Sequence, residues 1–290
     1  MRAVAEGYVA TVRRARGPGD NRRVSDEDGY LFDNQQDEAG ERFDALSELF
    51  DPATFRHLDA LGVRPGASVW EVGAGGPGVP RWLAGRVGPG GRVLATDIDT
   101  RWLAGIARDG LEVRRHDVGA DPAPEGPFDV VHARLLLVHV PSRDRALAAL
   151  ASTLRPGGRL LVEEADPDLQ PLVCPEEVGP VEELANRLKH ASRVLLAQRG
   201  VDLAFGRSLP RRLRALGLVD VAAEAHFPVG GPACTRLEHA SVLQLRDRLT
   251  GAGLATPAEI DEHLANVRTG RLDLATSPMI SAWGRRPAAG

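Results

Sequence analysis

The segment VWEVGAGGPGVPRWL, residues 69–83, puts Glu71 directly before a run of glycines. Glycine serves where backbone must take a positive φ or lie close to another group. A strand, a Gly-rich turn and a helix start together present bare backbone N–H groups to a ligand. Gly73-Ala74-Gly75-Gly76-Pro77-Gly78 satisfies GxGxxG, a weak signal alone. Asp97 stands near the place of an acid that holds a ribose hydroxyl. A pyrophosphate gains nothing from an anion at Glu71, because the two repel; a ligand carrying an ammonium group gains from it. Asp117, in RRHDV, adds another acid at the end of a strand-like run.

Other reactive side chains fall at similar places. His132 ends PFDVVHAR and reads equally as a general base or as a core histidine bonded to backbone. His139, in the apolar LLLVHV, reads as a packing residue. Glu163 and Glu164 end GRLLVEEAD; period-two alternation sends one toward a pocket and leaves the other to pair with an arginine. His190 is a lid candidate on a later helical stretch. Tyr30, Gln35 and Arg42 precede the core and either fold over a ligand or sit on a solvated helix. Cys174 and Cys234 have no CxxC spacing, and no His/Asp cluster has ligand spacing, so no disulfide framework and no metal is expected.

The elements that must position these residues alternate. Phe43, Leu46, Leu49 and Phe50 recur at helical spacing, and Asp51-Pro52 predicts a break before a second helix from Ala53 to Gly62. ASVWEV, GRVLATDID, LEVRRHDV, PFDVVHAR and GRLLVEEAD read as strands; TRWLAGIARDG and SRDRALAALASTL read as helices. Pro80 falls in the first turn of a helix. Such alternation implies a parallel sheet covered on both faces. Beyond it come a helical stretch at 176–200, the helix LPRRLRALGL, the strand VDVAAEAHFPV, a helical stretch at 235–268 and a closing strand SPMISAWGRR. Met279, Ser281 and Trp283 share one face of that last strand. The chain divides into an N-terminal arm or helix, 1–41, a ligand-binding core, 42–166, and a remainder, 167–290. In the remainder, insertions at about 168–205 and 235–268 form a lid over the carboxyl edge of the sheet, where ligands bind in such folds.

Composition narrows the class. The chain has 290 residues, 43% hydrophobic and 26% charged, with a net charge of -4. That balance disfavours a general nucleic-acid or membrane binder. No apolar run is long enough to span a bilayer. Arg13, Arg14 and Arg16 precede no apolar signal-peptide core, and two unframed cysteines fit a reducing cytoplasm. Lys189 is the sole lysine; the heavy use of Arg, Ala and Gly suggests a GC-rich bacterial genome.

In this order, EVGAGG, ATDID, RRHDV, PFDVVHA and LRPGGRLLVEE resemble the class I S-adenosylmethionine-dependent methyltransferases over about residues 42–165. YLFDNQQDEAGERFDALSELFDP and HARLLLVHVP are similar to a widespread bacterial group of them. The resemblance implies an α/β, Rossmann-like seven-stranded sheet whose last strand is antiparallel, with helices on both faces and a helical lid. It implies S-adenosyl-L-methionine as cofactor. Gly73, Ala74, Gly75 and Gly76 would turn under its methionine part, and Glu71 would order that turn and help hold the ammonium. Asp97 would accept from the ribose diol, with Ile98 beside it. Asp117 would accept from the adenine amino group near the Val118 N–H, and Tyr30 and Arg42 would close over the site. Pro77 departs from the usual small residue, removing one N–H and stiffening the turn, with Gly78 restoring flexibility.

The implied activity is methyl transfer to an O, N or C nucleophile of a small molecule, with secondary metabolism as the expected setting. Such an in-line displacement chiefly needs alignment. A base is needed only for a protonated acceptor, with His132, Glu163 and Glu164 as candidates. Two other classes stay open. An NAD(P)-dependent oxidoreductase is disfavoured by Glu71 and by the lack of a Tyr-x-x-x-Lys pair; the other is a non-catalytic cofactor-binding protein of the same fold. A homodimer is also open.

Overall fold

The computed structural model describes residues 38–288. Expectations for Tyr30 and Gln35, and for the arm up to residue 37, lie outside the described residues. Seven strands form one sheet: β1 (Ser68–Val72), β2 (Arg92–Asp97), β3 (Leu111–Arg115), β4 (Phe128–Arg134), β5 (Leu154–Ala165), β6 (Val219–His226) and β7 (Met279–Arg285). Their order is β3-β2-β1-β4-β5-β7-β6. β7 runs antiparallel to both neighbours, and every other pair among β1 to β5 is parallel. The order reverses between β1 and β4, so the crevice for a ligand opens there, beside Glu71 and the glycines.

Apolar residues on alternate positions bury both faces. Trp70, Val131, Leu160 and Val162 meet Leu147 and Leu150 of α3 (Arg143–Ser152) and Phe205 and Leu209 of α5 (Phe205–Ala215). Val69, Val93, Val130 and Leu161 meet Leu58 of α1 (Glu38–Ala60) and Leu83 of α2 (Gly78–Val87) on the other side. These are the helix-covered faces expected of a parallel sheet.

Two expected elements differ. α1 is one helix through Pro52, not two. A proline removes one helical hydrogen bond. Ala45 and Phe50 before it and Thr54, His57 and Leu58 after it are all buried, and these anchors hold both halves to one line. TRWLAGIARDG gives only a 3-10 turn, Arg101–Leu103, because the chain turns at Gly105 with φ 75°.

The insertions spring from one edge. Ala165, Met279 and His226, at the ends of β5, β7 and β6, are neighbours in register. The chain leaves that edge into α4 (Pro180–Gln198), then into α6 (Gly231–Gly251) and α7 (Pro257–Arg268). These three helices bury their own apolar cluster, with Leu184, Leu188, Leu245, Leu249, Ile260 and Leu264. A Thr256–Glu259 capping box starts α7. No helix among the described residues is long and apolar enough to cross a membrane.

Candidate active site

The glycine turn after β1 is built on left-handed backbone. Gly73 and Gly75 have φ of 64° and 62°, values that cost an ordinary side chain about 1–2 kcal/mol. A Cβ on Gly73 would lie 2.7 Å from the Leu136 side chain, and one on Gly75 would lie 3.3 Å from Phe43 of α1. At Gly76 a Cβ would meet nothing within 4 Å, so this part of the turn faces open space. Gly78 serves differently from the flexibility expected of it: its φ is not positive, and a Cβ there would lie 2.9 Å from the Asp51 carboxylate. Pro77 becomes the N-cap of α2.

Asp97 ties this turn to β2. Its Oδ2 accepts the Gly75 N–H at 2.9 Å and its Oδ1 accepts the Asp99 N–H at 2.9 Å. Burial pushes the carboxyl up, against the lowering pull of those two N–H bonds. The turn that follows is held by Asp99, which accepts from Arg101 backbone and side chain, so Asp97 is not its cap. Ile98 stands beside it with 56% of its surface exposed, a large apolar side chain without cover. Two residues past the end of β3, Asp117 is half-buried, and its Oδ1 accepts the Gly119 N–H at 2.8 Å. Val118 packs at the margin of the adjacent core.

Glu71 points under α1. Its Oε2 lies 2.6 Å from His132 Nδ1, and His132 Nε2 lies 3.2 Å from Glu163 Oε2. Glu163 also accepts from the Ser281 hydroxyl at 2.6 Å and the Thr54 hydroxyl at 2.5 Å, and its Oε1 lies 3.2 Å from His57 Nδ1. Arg134 completes the group, donating to Thr54 and to Asp51 at 2.9 and 2.8 Å. Burial alone would push His132 down; the carboxylates of Glu71 and Glu163 outweigh it and lift it to about 9. Burial would raise Glu163, but hydrogen bonds from His132 and His57 hold it well below the usual carboxylate range.

Glu164 faces the opposite side of the sheet. Its Oε1 accepts the N–H groups of Leu136, Leu137 and Val138, and its buried Oε2 has no partner among the described residues. Burial pushes it up to about 7, against those N–H bonds. The residues it holds follow Leu135, whose φ of 53° is rare outside glycine. They carry Leu136 onto Gly73.

These placements correct three expectations. His132 and Glu163 do not floor an open pocket: they are 0% and 1% exposed beneath α1. As a general base, His132 lacks a free ring nitrogen. The second glutamate of the pair takes its hydrogen bonds from backbone N–H groups, and Arg143 acts on it only through its charge. His139, in a 3-10 turn at Leu137–His139, is pushed down to about 4 by burial and then by Arg42 and Arg143. Arg42 is buried, its guanidinium 5.1 Å from the Phe43 ring centroid, and Phe43 meets Trp102 edge-on at 5.7 Å. The start of α1 therefore covers the glycine turn. Thr54, His57 and Arg134 carry no site expectation from the sequence, which places Ser281 only on a face of the last strand. For Arg134 and Ser281 the signal was available: they occupy the same alternate face of neighbouring strands as Glu71, His132 and Glu163. Thr54 and His57 lie on α1 and share no such pattern.

Among the described residues, no group of three or more His, Cys, Asp or Glu side chains is placed to hold a metal ion. A hollow lined by Pro124, Thr153, Arg155 and Arg286 lies at the amino edge, away from the acids above. Open space at Gly76, an uncovered Ile98 and a buried carboxylate at Asp97 fit a bound nucleoside with an amino-acid tail.

A family model described as a methyltransferase domain matches residues 33–223. Over 151 residues the chain is 31% identical to the ubiquinone/menaquinone biosynthesis C-methyltransferase UbiE of Hahella chejuensis, covering 47% of this chain and 60% of that protein. Over 121 residues it is 40% identical to the nocamycin O-methyltransferase of Saccharothrix syringae, covering 39% and 43%. The matched part thus spans about half the length of these relatives. The fold resembles the phosphoethanolamine N-methyltransferase 2 of Haemonchus contortus in complex with S-adenosyl-L-methionine, with a TM-score of 0.54 at 16% identity over 89% of this chain and 60% of that one.

Proposed function

This chain belongs to the class I S-adenosylmethionine-dependent methyltransferases, and on that premise we propose that it methylates an O, N or C nucleophile of a small molecule. The observation that carries the reading is the union of Glu71, the glycine turn and Asp97 at the point where the strand order reverses. When bound, S-adenosylmethionine supplies a methyl group on a sulfonium, which leaves as a neutral thioether. Gly73, Ala74, Gly75 and Gly76 cradle its methionine part, and Glu71 holds the ammonium. Asp97 accepts from the ribose hydroxyls by charge-assisted hydrogen bonds. Ile98 covers an adenine face, while Asp117 and Val118 meet its edge. Arg42, at the start of α1, closes the site, and Tyr30 is assigned the same part. The helices α4, α6 and α7 hold the acceptor, and the chemistry rests on alignment and exclusion of water.

Bacterial secondary metabolism is our finer assignment, supported by the likeness to a nocamycin O-methyltransferase; a cytoplasmic setting is assigned from the two cysteines that form no disulfide framework. The test is transfer of labelled methyl from S-adenosylmethionine to a panel of phenols, hydroxy acids, amines and activated carbon acids, with Asp97→Ala as control. Label in an organic product that the control fails to make supports methyl transfer. Saturable binding of S-adenosylhomocysteine with no transfer to any class would favour a non-catalytic protein of this fold.

A further inference from the structure

We propose that His132 is a positioning residue: its ring aims the Glu71 carboxylate at the cofactor's ammonium and ties it, through Glu163, to helix α1. Glu71 and His132 are partners in register on β1 and β4, and the ring bridges two carboxylates, at 2.6 and 3.2 Å. A neutral imidazole has one N–H, so it can donate to only one of them; its other nitrogen would turn a lone pair toward an anion. Two donated bonds require an imidazolium. The trio Glu71, His132 and Glu163 then carries one net negative charge, which suits a cationic ligand group. With a neutral ring, two carboxylates would face each other in a dry interior, at a large electrostatic cost.

The far end of the chain is equally fixed. Glu163 takes hydroxyl hydrogens from Thr54 of α1 and Ser281 of β7, with His57 of α1 beside it. Arg134 of β4 reaches Thr54 and Asp51 of the same helix. Asp51 in turn sits against Gly78, and Phe43, two turns earlier on α1, lies against Gly75. One helix therefore touches the glycine turn and holds the carboxylate that anchors His132. The residue acts through Glu71 and touches no reacting atom.

The inference rests on the cofactor reading above, which wild-type binding of S-adenosylhomocysteine tests separately. The experiment is a double-mutant cycle over His132→Leu and Glu71→Gln, read as S-adenosylhomocysteine affinity by calorimetry well below each variant's melting temperature. Each single change is expected to weaken binding about tenfold or more, the worth of a hydrogen bond to a charged group. The double variant should bind no worse than the weaker single, because His132 has nothing left to act through. If His132→Leu fails to fold, His132→Gln, a neutral donor of similar reach, takes its place. Nitrogen-15 spectra of wild-type protein at neutral pH should show both His132 ring nitrogens protonated. Losses that multiply in the double variant, a His132 variant within about twofold of wild type, or a neutral ring would each overturn the proposal.

Discussion

The Asp97 carboxylate accepts the Gly75 N–H at 2.9 Å, so the acid at the end of β2 and the turn after β1 form one unit. Replacing Asp97 with Ala therefore loosens the cradle and, on the proposed reading, removes a ribose acceptor. Affinity for S-adenosylhomocysteine should fall by about 1.5–3 kcal/mol, the range for hydrogen bonds to a charged group. Calorimetry and thermal melting check it together. Unchanged affinity with a lower melting temperature would leave Asp97 a purely structural residue.

The glycines separate two kinds of constraint. Gly73→Ala meets both a φ of 64° and the Leu136 side chain at 2.7 Å. It should cost about 1–3 kcal/mol of stability. Gly76→Ala meets neither, so its melting temperature should match wild type while its added methyl weakens cofactor binding. A stable Gly76→Ala protein with wild-type affinity would show that the cofactor does not approach there.

Stability should fall as pH rises. Glu164 is raised to about 7, so its proton is held more tightly in the folded chain. Folding is favoured while it is protonated, and that gain is lost as pH climbs from the ordinary carboxylate range through about 7. His132 is raised to about 9; its ion pairs contribute fully below the ordinary imidazole range and are lost as pH rises through about 9. Melting temperatures across this range should decline, and Glu164→Gln should flatten the lower part of the decline. A variant as pH-sensitive as wild type would assign that part to other groups.

How much of this was legible follows from how local each signal is. Glu71, Asp97 and Asp117 stand at or just past the ends of strands, so sequence alone places them at one edge of a parallel sheet. Pro52 misled because local propensity yielded to buried anchors on either side of it. TRWLAGIARDG has helical composition, but its turn at Gly105 is set by the need to start β3. The burial of His132 depends on α1 crossing the sheet from more than seventy positions away in the chain, which no local pattern reports.

The lid assignment predicts where acceptors act. α4, α6 and α7 share one apolar cluster and rise from the carboxyl edge. Hydrogen exchange should show residues 168–205 and 235–268 protected by an acceptor that is turned over, at constant oligomer size. If neither segment responds, the acceptor pocket lies elsewhere. Protection that tracks a change in oligomer size would make these helices an interface.

The central claim is the identity of the ligand on the glycine turn, and calorimetric titration of the wild-type protein with S-adenosylhomocysteine and, separately, with NAD tests it most directly. The account predicts saturable S-adenosylhomocysteine binding in the micromolar range or tighter and no measurable heat with NAD, because Glu71 suits an ammonium and repels a pyrophosphate. Equal binding of both, or NAD binding alone, would contradict it.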